Sequence, residues 1–392
     1  MTGEGPRFAP WPSYTPEEID AVREVLASGK VNYWTGTQAR EFEREQAADA
    51  GTRHAIALAN GSLALELALI GLNVGPGDEV VTSPRTFIAS ASCAVMRGAK
   101  PVFADVDADS QNITAATIEA VLTPRTRAIV VVHLAGWPCE MDDIMRLAQA
   151  HGVAVIEDCA QANGAHYRNR PIGGLGHVGA FSYCQDKIIT TGGEGGSITT
   201  SDHEMWTRCW AYKDHGKSFA AVYEREHPPG YRWLHESFGT NWRMTEIQAT
   251  IGRLQLRGLK DTVESRTRNA SMLRSGLVDT PGLRIPVVPS HIQHAYYRFY
   301  AFVDPQALRS NWNRDRVMME VTSRGVPCSV GSCSEVYLEK AFSSADMPAS
   351  RLPVARALGE SSLAFLVHPT LGDEEMQYAV SVVGDTMRKA IR

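Results

Sequence analysis

The chain has 392 residues, 44% hydrophobic and 21% charged, and its 39 Lys and Arg against 44 Asp and Glu leave a formal net charge of −5. A balanced, slightly acidic chain without long like-charge runs argues against nucleic acid or an anionic membrane as partner, and a chain of this length buries cores without disulfides or structural metals. No run of about 18 apolar residues marks a membrane span, and the opening MTGEGPRFAPWPSYTPEEID has neither the basic nor the apolar part of a secretory leader.

A soluble, cytoplasmic protein of two or three domains is therefore expected. The seven cysteines, at positions 93, 139, 159, 184, 209, 328 and 333, are odd in number and contain no CxxC pair. They read as small core residues, and no metal site is expected.

In chain order, the first 35 residues form a Pro- and aromatic-rich arm carrying one short helix, TPEEIDAVREVLAS, with Thr15 as N-cap and Glu17 and Glu18 in its first turn. From about 55 to 200, short apolar runs (HAIALAN, DEVVTSP, PVFADVD, RAIVVVHLAG, VAVIEDCA, GAFSYC) alternate with helical stretches such as SLALELALIGL. This predicts a doubly wound, mostly parallel α/β sheet with its chemistry at the carboxyl ends of the strands.

Residues 203–245 break the pattern with an aromatic, basic segment too long for a linker, which reads as a functional loop or an interface. A single long helical run over 245–277 bridges to a smaller C-terminal α/β domain, whose last helix spans 374–392. The division expected is 1–250 for the arm and large domain and 251–392 for the bridging helix and small domain.

Three stretches carry candidate chemistry. In NGSLALELAL a strand ends and a helix begins, so its free N–H groups can cradle a phosphate beside Gly61, or Ser62 merely caps the helix. The strand VAVIEDCA ends in Glu157 and Asp158, where a carboxylate either meets a cationic partner or caps the next loop. In GAFSYCQDKIITTGGEGG, Ser182 precedes Lys187. A lysine is usually a surface group, but burial and neighbours can lower its pKa enough to make it a nucleophile toward an aldehyde.

Phosphate cup, acid, serine and lysine follow in the order of pyridoxal 5′-phosphate (PLP) enzymes. The motifs NGSLAL, GPGDEVVTSPRTFIASASC, GAKPVFADVD, VIEDCAQANGA, FSYCQDKIITTGGEGG and FGTNWRMTEIQATIGRLQL, over about 15–385, resemble the DegT/StrS family of sugar aminotransferases, fold type I. The resemblance implies that Lys187 binds the cofactor's aldehyde, Asp158 its ring nitrogen and Gln161 its 3′-hydroxyl side. Ser182, Gly61 and Ser62 hold the phosphate, Phe87 stacks on the ring, and Asn241 reaches a phosphate across a homodimer interface. The run TTGGEGG is one glycine longer than the family's usual TTGEGG, and Ser62 stands where Thr is common. Family dehydratases carry His in place of this lysine, so Lys187 implies amino transfer.

The implied reaction moves an amino group from L-glutamate to an oxidised sugar. The segment after residue 210 and GSCSEVYLEKAF resemble a branch that makes 8-amino-3,8-dideoxy-manno-octulosonate for lipopolysaccharide; a nucleotide-linked 3-keto or 4-keto hexose is the alternative acceptor, and a non-catalytic PLP-binding regulator a third reading. Lys213, His215, Lys217, Arg232 and Arg243 are the cations expected to meet an anionic sugar.

Overall fold

Alternation of apolar strands and amphipathic helices gives the central sheet that the pattern predicts. A computed structural model describes residues 5–342 and 347–392. Strands β1 (His54–Leu58), β2 (Glu79–Thr82), β3 (Lys100–Phe103), β4 (Thr126–Val132), β5 (Ala154–Asp158), β6 (Val178–Ser182) and β7 (Gly196–Thr200) pair in the order β1-β7-β6-β5-β4-β2-β3. Both pairings of β7 are antiparallel and the others parallel.

Successive β4 side chains enter opposite cores, Ile129 and Val131 into one, Ala128 and Val130 into the other, as a strand covered on both faces requires. The second of these cores also takes residues of α3 (Gly61–Gly71), α4 (Ala89–Met96) and α6 (His203–Lys213), the first those of α5 (Met141–His151). The carboxyl ends of the parallel strands therefore open on one edge, at Thr82, Val132, Asp158 and Ser182.

Near the N-terminus, α1 (Pro16–Ser28) begins as expected: the Thr15 hydroxyl accepts from the Glu18 N–H at 3.2 Å, and Glu18 returns the bond to the Thr15 N–H at 2.6 Å. A helix missing from the sequence reading, α2 (Gln38–Asp49), buries Ala39, Phe42, Gln46 and Ala47. Its first N–H groups, on Gln38 and Ala39, donate to the carboxylate of Glu246, 2.5 and 3.1 Å away. The expected bridging helix is two, α7 (Glu246–Arg257) and α8 (Leu259–Leu277), parted at Gly258.

Beyond it, β8 (Leu283–Arg284), β9 (Phe299–Val303), β10 (Cys328–Ser329) and β11 (Ser362–Phe365) form an antiparallel sheet of order β8-β9-β11-β10. It shares a core with α8 and α9 (Asp373–Ala390), against which Phe8 of the arm packs. Four cysteines are buried as expected; Cys184 and Cys328 are half-buried and Cys333 is exposed, because the 328–333 strand and loop run along the sheet's rim.

Among the described residues no helix is long and apolar enough to cross a membrane.

Two buried histidines are expected to weaken the fold in acid. Burial pushes His294 and His368 down to about 3, with the Arg274 charge adding at His294 and the Arg266 and Arg298 charges at His368. Each imidazole stays neutral in the fold while the unfolded chain protonates near pH 6.5, so stability held above that pH falls as pH drops toward 3. The slope is about 1.4 kcal/mol per pH unit for each histidine. Urea unfolding at pH 7 and pH 5 should show His294→Gln and His368→Gln each losing less stability on acidification than the parent; equal losses would assign the weakening in acid to other groups.

Candidate active site

Side chains at the carboxyl ends of β5 and β6 face the same opening as the start of α3. The two carboxylates closing β5 divide the readings left open for them. Glu157 points away and accepts from the N–H groups of Gly173, Leu175 and Gly176 at 3.0, 2.8 and 2.7 Å. His133 takes the Cys139 N–H on Nδ1 and donates from Nε2 to Glu157 at 3.1 Å. His133, Glu157 and Cys159 gather three buried metal-ligand types, but these bonds already occupy the imidazole and the carboxylate, so the cluster braces the loop.

Asp158 faces the opening. Its Oδ2 accepts from the Ser90 hydroxyl at 2.7 Å and its Oδ1 from the Ala160 N–H at 3.1 Å. Burial pushes its pKa up, against these bonds and the charge of Lys187. Among the described residues no cation pairs with it directly. Ser90 was not foreseen, although Thr86 and Ser90 stand at helical i, i+4 spacing in RTFIAS and their hydroxyls lie 2.7 Å apart.

Asn60, not Ser62, caps α3: its side chain accepts from the Leu63 N–H at 3.0 Å. The exposed Ser62 hydroxyl and the first N–H groups are left for a ligand. Gly61 is required for close approach, since a Cβ there would lie 2.5 Å from Ser182 Cβ. Ser182 is buried, and its hydroxyl accepts from the Cys184 N–H at 3.4 Å. Gly61→Ala should therefore push the helix start off Ser182 and weaken cofactor binding at least about tenfold, as titration of the visible absorbance against added PLP would show; an unchanged titration would remove this cradle from the site.

Lys187 sits on the bend after β6. Its N–H donates to Cys184 O at 3.1 Å, and its carbonyl accepts from the Trp11 indole N–H at 2.8 Å. Nζ lies 3.5 Å from Asp186 Oδ1 and 4.9 Å above the Tyr297 ring. The expected lowering of its pKa is corrected: burial does act downward, but Tyr297, Asp186 and Cys184 outweigh it and the net shift is upward. Gln161 is held by the Ala135 N–H at 2.8 Å and donates to Ser332 at 3.4 Å. Phe87 is 66% exposed, a ring face open to a partner. Asn241, exposed, accepts from its neighbour Arg243 N–H at 3.4 Å.

The cation cluster is largely spoken for. Lys213 is fully buried, 3.9 Å from Glu43 and 3.7 Å above the Tyr33 ring, out of reach of any substrate. Lys217 and Arg243 both pair with buried Asp214, at 3.2 and 2.6 Å. Only His215 and Arg232 of the five lie exposed. The sequence shows these cations but not the acids that the fold brings to them.

A model of the DegT/DnrJ/EryC1/StrS aminotransferase family matches residues 12–384. The chain belongs to that family. The aminotransferase is 54% identical to the crystallised aminotransferase from Psychrobacter cryohalolentis, with a TM-score of 0.96 over 97% of this chain and 99% of that one. It is 35% identical to the UDP-N-acetyl-3-dehydro-alpha-D-glucosamine 3-aminotransferase of Acidithiobacillus ferrooxidans over 95% and 94% of the two chains. It is 32% identical to S. venezuelae DesV, with a TM-score of 0.85 over 95% and 94%. Its fold is type I, and it is a PLP-dependent transaminase. The residues present fit PLP: a helix start pressed on Ser182 for a phosphate, a buried carboxylate without a cation for a ring N–H, and a lysine beside them.

Proposed function

We propose that this sugar aminotransferase carries the amino group of L-glutamate to a nucleotide-linked 3-keto or 4-keto hexose. The observation that carries the reading is the buried, cation-free Asp158 facing the same opening as Lys187 and the Gly61–Ser182 cradle. The full-length likeness to an enzyme named for a keto nucleotide sugar favours this acceptor over the octulosonate. Exposed His215 and Arg232 remain as cations for a diphosphate.

Bound PLP supplies an electron sink and a carbonyl that takes up and gives back the amine. Asp158, its Oδ atoms fixed by Ser90 and Ala160, would hold the ring N–H. Ser182 and the α3 N-terminus would bind the phosphate, Phe87 would cover the ring, and Gln161 would serve its 3′-hydroxyl side. Lys187 Nζ takes the proton from the donor's α-carbon and returns one to the acceptor's carbon.

The reading includes a homodimer. Trp233 and Phe238, 80% and 100% exposed in the 203–245 segment, present the apolar surface that an interface covers, and Asn241 is exposed as a residue lent to a second copy must be. A two-part division near residue 250 is supported by the core beneath the C-terminal sheet, which draws its buried residues from positions 270–390. A cytoplasmic location is supported by seven unpaired cysteines.

The test is direct. PLP-loaded protein treated with L-glutamate should lose its visible band and release 2-oxoglutarate. Keto sugars linked to UDP, GDP or dTDP should restore the band, and 8-oxo-3,8-dideoxy-manno-octulosonate should not. Restoration by the octulosonate alone would overturn the acceptor, and a protein that binds PLP but ignores glutamate would be a regulator.

A further inference from the structure

We propose that Asp186, oriented by Tyr297 and Arg298, is the latch that receives the Lys187 ammonium whenever the lysine is free of the cofactor. The inference rests on the role assigned to Lys187 above. A transaminase lysine spends part of every cycle detached, and a buried ammonium then needs a partner or a proton sink.

The structure provides the partner on the adjacent residue. Nζ stands 3.5 Å from Asp186 Oδ1, the Tyr297 hydroxyl donates to Asp186 Oδ2, and Arg298 Nη2 lies 3.6 Å from that same oxygen. The lysine side chain is 16% exposed and the aspartate 50%, so the carboxylate keeps much of its hydration while pairing with the half-buried amine. The lysine backbone is pinned on both sides, by Cys184 O and the Trp11 indole, so detachment swings the side chain alone. The other charged or titratable groups facing this pair are Cys184 on the same loop, Tyr297 and Arg298 at the start of β9, and Arg266 of α8. Asp158, at the end of β5, also feels the Lys187 charge, and Asp186 is the carboxylate, among the described residues, that lies within 4 Å of Nζ.

The pair stabilises the detached, protonated lysine relative to the attached one. It therefore draws the glutamate half-reaction toward the amine form of the cofactor, and the lysine gives up its proton less readily until a substrate enters.

Two measurements test this on the full chain. Without cofactor, labelling of Lys187 by an amine-selective acylating reagent is followed by peptide mass spectrometry across pH. Removing the carboxylate charge in Asp186→Asn lowers the lysine's pKa and enlarges its neutral fraction, so labelling near neutral pH should quicken about fourfold, a little over half a pKa unit, with a smaller change in Tyr297→Phe. With PLP bound, the L-glutamate/2-oxoglutarate ratio that half-bleaches the visible band should rise in Asp186→Asn. An unchanged labelling profile in both variants would overturn the latch. Because labelling needs no cofactor, it is independent of the Lys187 assignment, which fails separately if added PLP does not protect Lys187 in the parent protein.

Discussion

Lys187→Ala is expected to abolish the visible absorbance of the PLP-treated protein and to cut 2-oxoglutarate release by about three orders of magnitude or more, because in the proposed reaction one amine both holds the cofactor and moves the proton. The fold should barely notice. Among the described residues, the charged group within ion-pair distance of the side chain is half-exposed Asp186, a pairing worth less than about 1 kcal/mol once solvent screening is counted. The backbone bonds to Cys184 and Trp11 do not involve the side chain. Lys187→Arg separates charge from chemistry: it can keep the contact with Asp186 but offers no amine to an aldehyde, so it should be as inactive as the alanine variant. Release of 2-oxoglutarate at the parental rate by either variant would remove Lys187 from its role.

The parts of this site readable in sequence are those whose chemistry lies within one short segment. Asp158 ends a buried apolar strand, and Lys187 and Ser182 share one strand-and-turn, so order along the chain already groups them. Gly61 is legible for the same reason, although the cap belongs to Asn60, whose side chain competes for the same N–H groups.

What escaped depends on partners far away in the chain. Helix α2 has too few apolar residues for its period to stand out, and its start is completed by Glu246, about two hundred residues on. The break at Gly258 leaves the helical period on either side intact, so the pattern reads as one helix. The net upward shift at Lys187 needs Tyr297, which only the second sheet brings beneath it. The cations between 213 and 243 form a cluster in sequence, yet Glu43 and Asp214 convert three of them into framework.

Lys213 gives the sharpest test of that conversion. Its ammonium makes no hydrogen bond and is enclosed by Glu43 and the rings of Tyr33 and Trp210, 3.7 and 5.2 Å from their centroids. Burial drives the lysine's pKa down and that of Glu43 up, and each one's charge is the main force opposing the other's shift. Lys213→Ala removes the cation and leaves the largely enclosed Glu43 carboxylate with only the Tyr33 hydroxyl and the Ala57 N–H, so it should cost about 3 kcal/mol of unfolding free energy.

Glu43 without its cation binds a proton more tightly in the fold than in the unfolded chain, so the variant should lose stability as pH rises above the ordinary carboxylate range, and more at pH 8 than at pH 5. Lys213→Met combined with Glu43→Gln, which removes both charges while filling the space, should recover most of the loss, and the double-mutant cycle measures the coupling. Throughout, the KM for the accepted sugar should stay within about twofold, since a residue with no exposed atom offers a substrate nothing to bind. A tenfold rise in that KM with unchanged stability would return Lys213 to the substrate site and overturn its place in the core.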